Sequence, residues 1–331
     1  MERFALAAAV VLGFALTAAL CSLFVPLRRV LERREQNQQP VQPEQPRPVP
    51  LRAPLWGGLC AAAGTVAAVG VGWLAACVGQ PELLGSEGRL MTRLLTALAG
   101  SLAFGAVGLA EDLARMRSPA ALGLRRDVRL LLEALAAAFV LLLLQAAGCL
   151  PRGLDVPGAG YVLLGSAVPF LWAVLMVALA ECARIAERDE GTVCGAAFVA
   201  MLALMMAEAG LGVPGLAVLP AALAGALVAL LLWAFPPARL GVGCCGSLLA
   251  AGAIGCIPLS LDMTSLTVPL ALPFWAAGGL WAAQLLGAKR TGKPLRCWVK
   301  KHKMSPETVF LCSFALSAVG YVLALALLRW C

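Results

Sequence analysis

Apolar runs of roughly 18 or more residues recur from end to end of the 331-residue sequence, and a run of that length is the signature of a membrane-crossing helix. In lipid a backbone can be satisfied only within helices or within a closed barrel. The runs are continuous and do not alternate, which excludes the barrel. Composition agrees: 61% of residues are hydrophobic and 13% charged, and mean hydropathy is +0.88. That is too little polar surface for a soluble domain of this size. The chain reads as an all-α polytopic membrane protein, a single integral-membrane domain over 1–331. About ten spans are expected, near 4–27, 55–79, 94–110, 130–150, 160–180, 192–210, 213–235, 245–264, 266–287 and 308–329. The first run exceeds the ~7–15-residue core of a signal peptide and reads as a retained span.

Basic residues set the expected orientation. Arg28 to Arg52, Arg115 to Arg129, Arg184, Arg188, Arg239 and Lys289 to Lys303 fall in alternate loops on one side. Arg3, Arg89, Arg93, Arg152 and Arg329 fall on the other. Positive charge stays inside, so the first set is cytoplasmic and both termini face out. The net charge of +8 is thus a topology signal that also suits anionic lipid, and it does not point to nucleic acid. Residues 28–54, with Pro46, Pro48 and Pro50, read as an extended Pro/Gln-rich cytoplasmic linker, and 288–307 as a basic cytoplasmic loop. That loop suits either phosphate contact or simple anchoring of orientation. The twelve cysteines have no framework spacing. Cys21, Cys60, Cys77, Cys149, Cys256 and Cys312 lie in or beside spans, where cysteine behaves as a small hydrophobe. The Cys244-Cys245 pair lacks the ligands of a zinc site, His302 being the one histidine.

Charge inside the apolar pattern marks the candidate site. Glu181-Cys-Ala-Arg-Ile-Ala-Glu-Arg-Asp-Glu-Gly191 packs four carboxylates and two arginines between two apolar runs, so it belongs in a loop. Glu111 and Asp112 end the third span. They suit Mg²⁺ or a base, or else form a solvated helix end in which Glu111 pairs with Arg115 at i,i+4. Arg129 and Glu133 open the fourth span. An ionisable residue there costs ~2–3.5 kcal/mol unless it is paired or wet, so this pair is expected to face the same polar region as Glu111 and Asp112. Gly57-Gly58 permits close backbone approach or helix packing. Leu240-Gly-Val-Gly-Cys-Cys-Gly-Ser247 is either a cradle for an anion at a helix N-terminus or a re-entry loop.

Taken in order, these motifs resemble the polyprenyl-phosphate N-acetylhexosamine-1-phosphate transferases (glycosyl transferase family 4), and most closely their phospho-N-acetylmuramoyl-pentapeptide transferase branch. Pro54-Leu-Trp-Gly-Gly58 is similar to the family's Pro-Thr-Met-Gly-Gly, and Gly108-Leu-Ala-Glu-Asp112 to Gly-Phe-x-Asp-Asp. Gly123-Leu-Arg-Arg-Asp-Val-Arg129 with Leu130-Leu-Leu-Glu133 resembles Gly-Leu-Ser-Ala-Arg-x-Lys with Leu-Leu-x-Gln. The central stretch falls on Asn-x-x-Asn-x-x-Asp-Gly-x-Asp-Gly, and Gly243-Cys-Cys-Gly-Ser-Leu248 on Gly-Asp-x-Gly-Ser-Leu. The family's topology, about ten spans with both termini outside, is the one derived above. Glu181 and Arg184 replace asparagines, Cys244 stands where the family has a Mg²⁺-coordinating aspartate, and Cys297-Trp-Val299 replaces a triple histidine.

The resemblance implies transfer of a phospho-N-acetylhexosamine, of phospho-MurNAc-pentapeptide type, from a UDP-linked amino sugar to polyprenyl phosphate. The process served is peptidoglycan synthesis at the bacterial cell membrane. It implies Glu111, Asp112, Glu187 and Glu190 as catalytic residues, with Mg²⁺ held at Asp112. Arg129, Glu133, Glu181, Arg184, Gly191, Gly246 and Ser247 are then substrate-binding, and a homodimer is the implied assembly. The departures open a second reading, a catalytically silent relative that binds polyprenyl phosphate or scaffolds envelope proteins.

Overall fold

The computed structural model describes residues 2–38, 56–79, 88–117, 123–151, 153–156, 160–163, 165, 167–189, 191–212, 215–236, 238–291 and 305–328. Its helices are α1 (Glu2–Gln38), α2 (Gly57–Gly79), α3 (Gly88–Arg117), α4 (Arg126–Ala146), α5 (Ala167–Ala186), α6 (Thr192–Gly210), α7 (Val218–Ala234), α8 (Gly243–Ser260), the short α9 (Thr267–Leu270), α10 (Leu272–Thr291) and α11 (Pro306–Leu328). Seven of them are long and apolar enough to cross a membrane, or eight if the pair Thr264–Leu270 and Leu272–Ala283, bent by 61°, counts as one span. The chain is a multi-pass α-helical membrane protein. The other two expected spans fall on α4, which carries Arg129 and Glu133 near its start, and on α7, which has 17 residues.

Three expectations change. The stretch 181–191, expected as a loop, is helical in α5 as far as Ala186, where its charges pair across helices and need no loop. The span expected from residue 160 begins at Ala167, because Gly153–Val156 (β1) and Gly160–Leu163 (β2) pair antiparallel, Leu154 opposite Val162 and Asp155 opposite Tyr161. Val156, Tyr161 and Val162 are strand formers. The linker expected from residue 28 begins later, since α1 continues to Gln38. Leu31-Glu-Arg-Arg-Glu-Gln-Asn-Gln38 holds no proline and several straight-chain residues that lose little freedom in a helix. The rest of that linker and most of the basic loop, with Cys297-Trp-Val299 and His302, lie outside the described residues.

Helix α8 is the axis of the fold: its apolar window is wholly buried, whereas that of α11 is 17% buried and that of α1 28%. Helix α3 lies along α8, with α2, α5 and α6 completing the ring. Small residues set these contacts, as expected where no hydrophobic effect drives helices together. Gly252 of α8 faces Ser101 and Phe104 of α3, and a Cβ there would lie 3.0 Å from the Phe104 Cβ. Helix α7 crosses α1 where Gly225 faces the Val10 carbonyl and Gly13 faces that of Ala222.

Candidate functional site

The first N–H groups of a helix have no intrahelical acceptor, and at α8 the acceptor is a side chain of α3. The backbone N–H of Cys244 donates to Asp112 Oδ1 at 3.0 Å, and that of Cys245 donates to Oδ2 at 2.9 Å. Asp112 is 1% exposed. Its negative charge also sits at the positive end of the helix dipole. The glycine-rich turn therefore does receive an anion, as the cradle reading expects, but that anion belongs to the chain. Gly243 enters the helix at φ +72°, a left-handed conformation that glycine adopts without penalty.

Helix α3 can come this close because Gly108 lies one turn before Asp112. A Cβ on Gly108 would run into the Cys244 carbonyl. Helix α2 docks on the same turn: Gly57 N–H donates to Gly241 O at 3.2 Å and Gly58 N–H to Val242 O at 2.9 Å. A Cβ on Gly58 would meet the Gly246 amide. The two readings of Gly57-Gly58 coincide, since the close backbone approach is itself the packing of α2 on α8 through glycine. Gly246 and Ser247 are both buried, and Ser247 Oγ donates to Cys244 O at 3.1 Å.

Beside this junction, Arg129 of α4 lies among three glutamates. Its Nε donates to Glu181 Oε1 of α5 at 2.8 Å and stands 3.9 Å from Glu133 Oε1, while Nη1 is 3.6 Å from Glu111 Oε1 of α3. Arg184 holds the other oxygen of Glu181 at 2.5 Å, and Arg115 holds Glu111 Oε1 at 2.7 Å. Glu111, Asp112, Arg129 and Glu133 thus gather at one end of the bundle, as the sequence predicts. Two details differ. The short partner of Arg129 is Glu181 rather than Glu133, and the Glu111–Arg115 pair is buried on its acid side rather than solvated. Glu133 is fully buried with neither oxygen hydrogen-bonded, and Glu111 Oε2 and Arg184 Nε also lack hydrogen-bond partners.

Glu187, in the turn after α5, interacts electrostatically with Arg115 and Cys244. Glu190 lies outside the described residues. Gly191 caps α6 at φ +74°, where a Cβ would sit 3.0 Å from the Ala234 carbonyl oxygen, so its place in the fold already requires glycine. One buried acid is absent from the sequence reading. Glu208 of α6 is 1% exposed and its Oε2 has no hydrogen-bond partner. The signal was present in the sequence, a carboxylate within the apolar run 192–210.

Magnesium needs about six oxygen ligands at ~2.0–2.1 Å in near-octahedral array. Among the described residues no three His, Cys, Asp or Glu side chains are disposed to hold a metal ion. Both Asp112 oxygens accept backbone N–H groups, one oxygen of Glu111 and both of Glu181 contact arginines, and the buried Cys244 offers a soft thiol. The described donor set does not fit Mg²⁺.

The profile of glycosyl transferase family 4 matches residues 94–262, the segment that carries α3 to α8 and the whole charged cluster. The phospho-N-acetylmuramoyl-pentapeptide-transferase of Mycobacterium tuberculosis is 28% identical over 265 residues, 72% of each chain. The Desulforudis audaxviator protein of the same name is 32% identical over 170 residues, 48% of this chain and 50% of its own. That of a Synechococcus species is 30% identical over 212 residues, 63% of this chain and 55% of its own. A polytopic helical fold, a matched segment spanning the charged cluster and these relatives agree: the chain belongs to glycosyl transferase family 4.

Proposed function

We propose that this chain is a catalytically silent family member of the bacterial cell membrane that binds polyprenyl phosphate without transferring a sugar phosphate to it. The observation that carries this reading is Asp112, whose two oxygens hold the N-terminus of α8; the motif resemblance, which sets Cys244 against a metal-ligating aspartate, supports it. The chain's own groups fill both roles that external ligands would play. Asp112 is the anion at the helix N-terminus, and the Arg129 guanidinium is the cation among Glu111, Glu133 and Glu181. By formal charge Arg115, Arg129 and Arg184 match Glu111, Glu133 and Glu181 one for one.

The lipid phosphate is assigned to the rim, where Arg117, Arg125 and Arg126 are exposed between α3 and α4. Guanidinium groups there suit phosphate oxygens at headgroup level, with this end facing the cytoplasm.

Family membership and the gathering of acids and arginines at one end favour a second reading. In it, a phospho-N-acetylhexosamine passes from a UDP-sugar to polyprenyl phosphate and UMP leaves. One experiment separates the two. Purified protein in lipid is given undecaprenyl phosphate, Mg²⁺ and a panel of UDP-sugars that includes UDP-MurNAc-pentapeptide. No UMP release together with saturable binding of undecaprenyl phosphate is the expected result. UMP release with any donor overturns the silent reading, and absent lipid binding overturns the rim assignment.

A further inference from the structure

The function above uses none of the cysteines of α1 and α2, yet two of them meet. The helices run antiparallel in one register: Gly72 faces Ala9, where a Cβ would lie 3.0 Å from the Ala9 Cβ, and Gly64 faces Thr17, where a Cβ would lie 3.1 Å from the Thr17 amide nitrogen. One turn beyond Thr17 the same register sets Cys21 opposite Cys60. Beyond them Phe24 stacks on Trp56, with ring centroids 5.6 Å apart and planes within 5°. The close pairs on either side hold the two helices together at the cysteines. Both side chains are buried, at 0% and 1% exposure, and the two thiols are within hydrogen-bonding reach of each other.

We propose that Cys21 and Cys60 are a reversible dithiol/disulfide pair that staples α1 to α2. A solitary buried cysteine is an inert filler. This pair differs because each thiol has a second sulfur at hand and the approach of the helices is fixed by small residues. The oxidant is a peroxide, small and uncharged enough to enter apolar packing. One sulfur attacks the peroxide, the O–O bond breaks, and a sulfenic acid and water form. The second sulfur then attacks the sulfenic sulfur, the S–S bond forms and a second water leaves. In sum two thiols and one hydrogen peroxide give a disulfide and two waters, and a dithiol reductant reverses the change.

The staple lies beside the site. Cys60 is in the first turn of α2, its N–H bonded to Trp56 O at 3.1 Å, and the adjacent Gly57 and Gly58 dock on the turn that leads into α8. Tethering α1 there fixes the helix that supports the α8 N-terminus. Other thiols make the pairing a real choice. Cys194 of α6 interacts electrostatically with Cys21, and Cys245 of α8 with Cys60.

The test uses the full chain in lipid nanodiscs. Hydrogen peroxide is added, remaining thiols are blocked with a lipophilic maleimide, and peptides are mapped without reduction. The expected product is a Cys21–Cys60 linked peptide that dithiothreitol abolishes. The thermal midpoint should rise on oxidation in the wild type and not in Cys60→Ser. The proposal is overturned if both cysteines stay alkylatable after peroxide, or if Cys21 links to Cys194 or Cys60 to Cys245. Because the linked peptide is read from the wild-type chain, a poorly folding variant does not blunt the result.

Discussion

The two halves of the charged end are built by different means. Where α2, α3 and α8 meet, the contacts are backbone: Gly58 against Gly246, Gly108 against the Cys244 carbonyl, and the α8 amides in the grip of Asp112. Where α3, α4 and α5 meet, the contacts run through long side chains, Arg129 and Arg184 on Glu181 and Arg115 on Glu111. The first half cannot change without moving a helix. The second can exchange residues as long as charge stays balanced, and it is there that the motif resemblance sets Glu181 and Arg184 against asparagines. Fold and ligand chemistry can therefore part company within a few ångströms.

Substitutions sharpen this contrast. Arg129→Met should have the largest effect, a loss of ~3–5 kcal/mol, because it leaves buried Glu133 without a cation and takes from buried Glu111 and half-buried Glu181 one of their two. Unfolding of the reconstituted protein measures it, and a loss below that of a surface arginine would dissolve the network claim. Asp112→Asn keeps one acceptor oxygen and gives up the other along with the charge. A cost of ~1–3 kcal/mol is expected, with faster hydrogen exchange at the Cys244 and Cys245 amides. Gly108→Ala drives a methyl into the Cys244 carbonyl and should cost ~1–3 kcal/mol by overpacking, visible as a lowered thermal midpoint. Arg184→Ala should matter least, ~0.2–1 kcal/mol, since its pair with Glu181 is partly exposed and Arg129 still holds Glu181. If Arg184→Ala cost more than Arg129→Met, the centre of the cluster would be misplaced.

The helical membrane fold was legible in the sequence, because long apolar runs are a one-dimensional signal. The gathering of Glu111, Arg129 and Glu133 followed from the cost of leaving them unpaired in lipid. The partner of Asp112 was not legible. A carboxylate at a span end reads as a ligand holder, and only the fold brings it to the α8 amides from a distant part of the chain. The choice of Glu181 by Arg129 is likewise a matter of which turns of α4 and α5 face each other. The hairpin at 153–163 was hidden because its short strands merge into the apolar run that follows.

The central claim is that Asp112 is committed to the α8 amides and that the described side chains form no site for a divalent cation. Titration with Mn²⁺, a paramagnetic stand-in for Mg²⁺, followed by electron paramagnetic resonance on protein in nanodiscs of zwitterionic lipid, tests it most directly. The account predicts no saturable binding above empty nanodiscs. A stoichiometric bound Mn²⁺ that Mg²⁺ displaces and Asp112→Asn abolishes would contradict it.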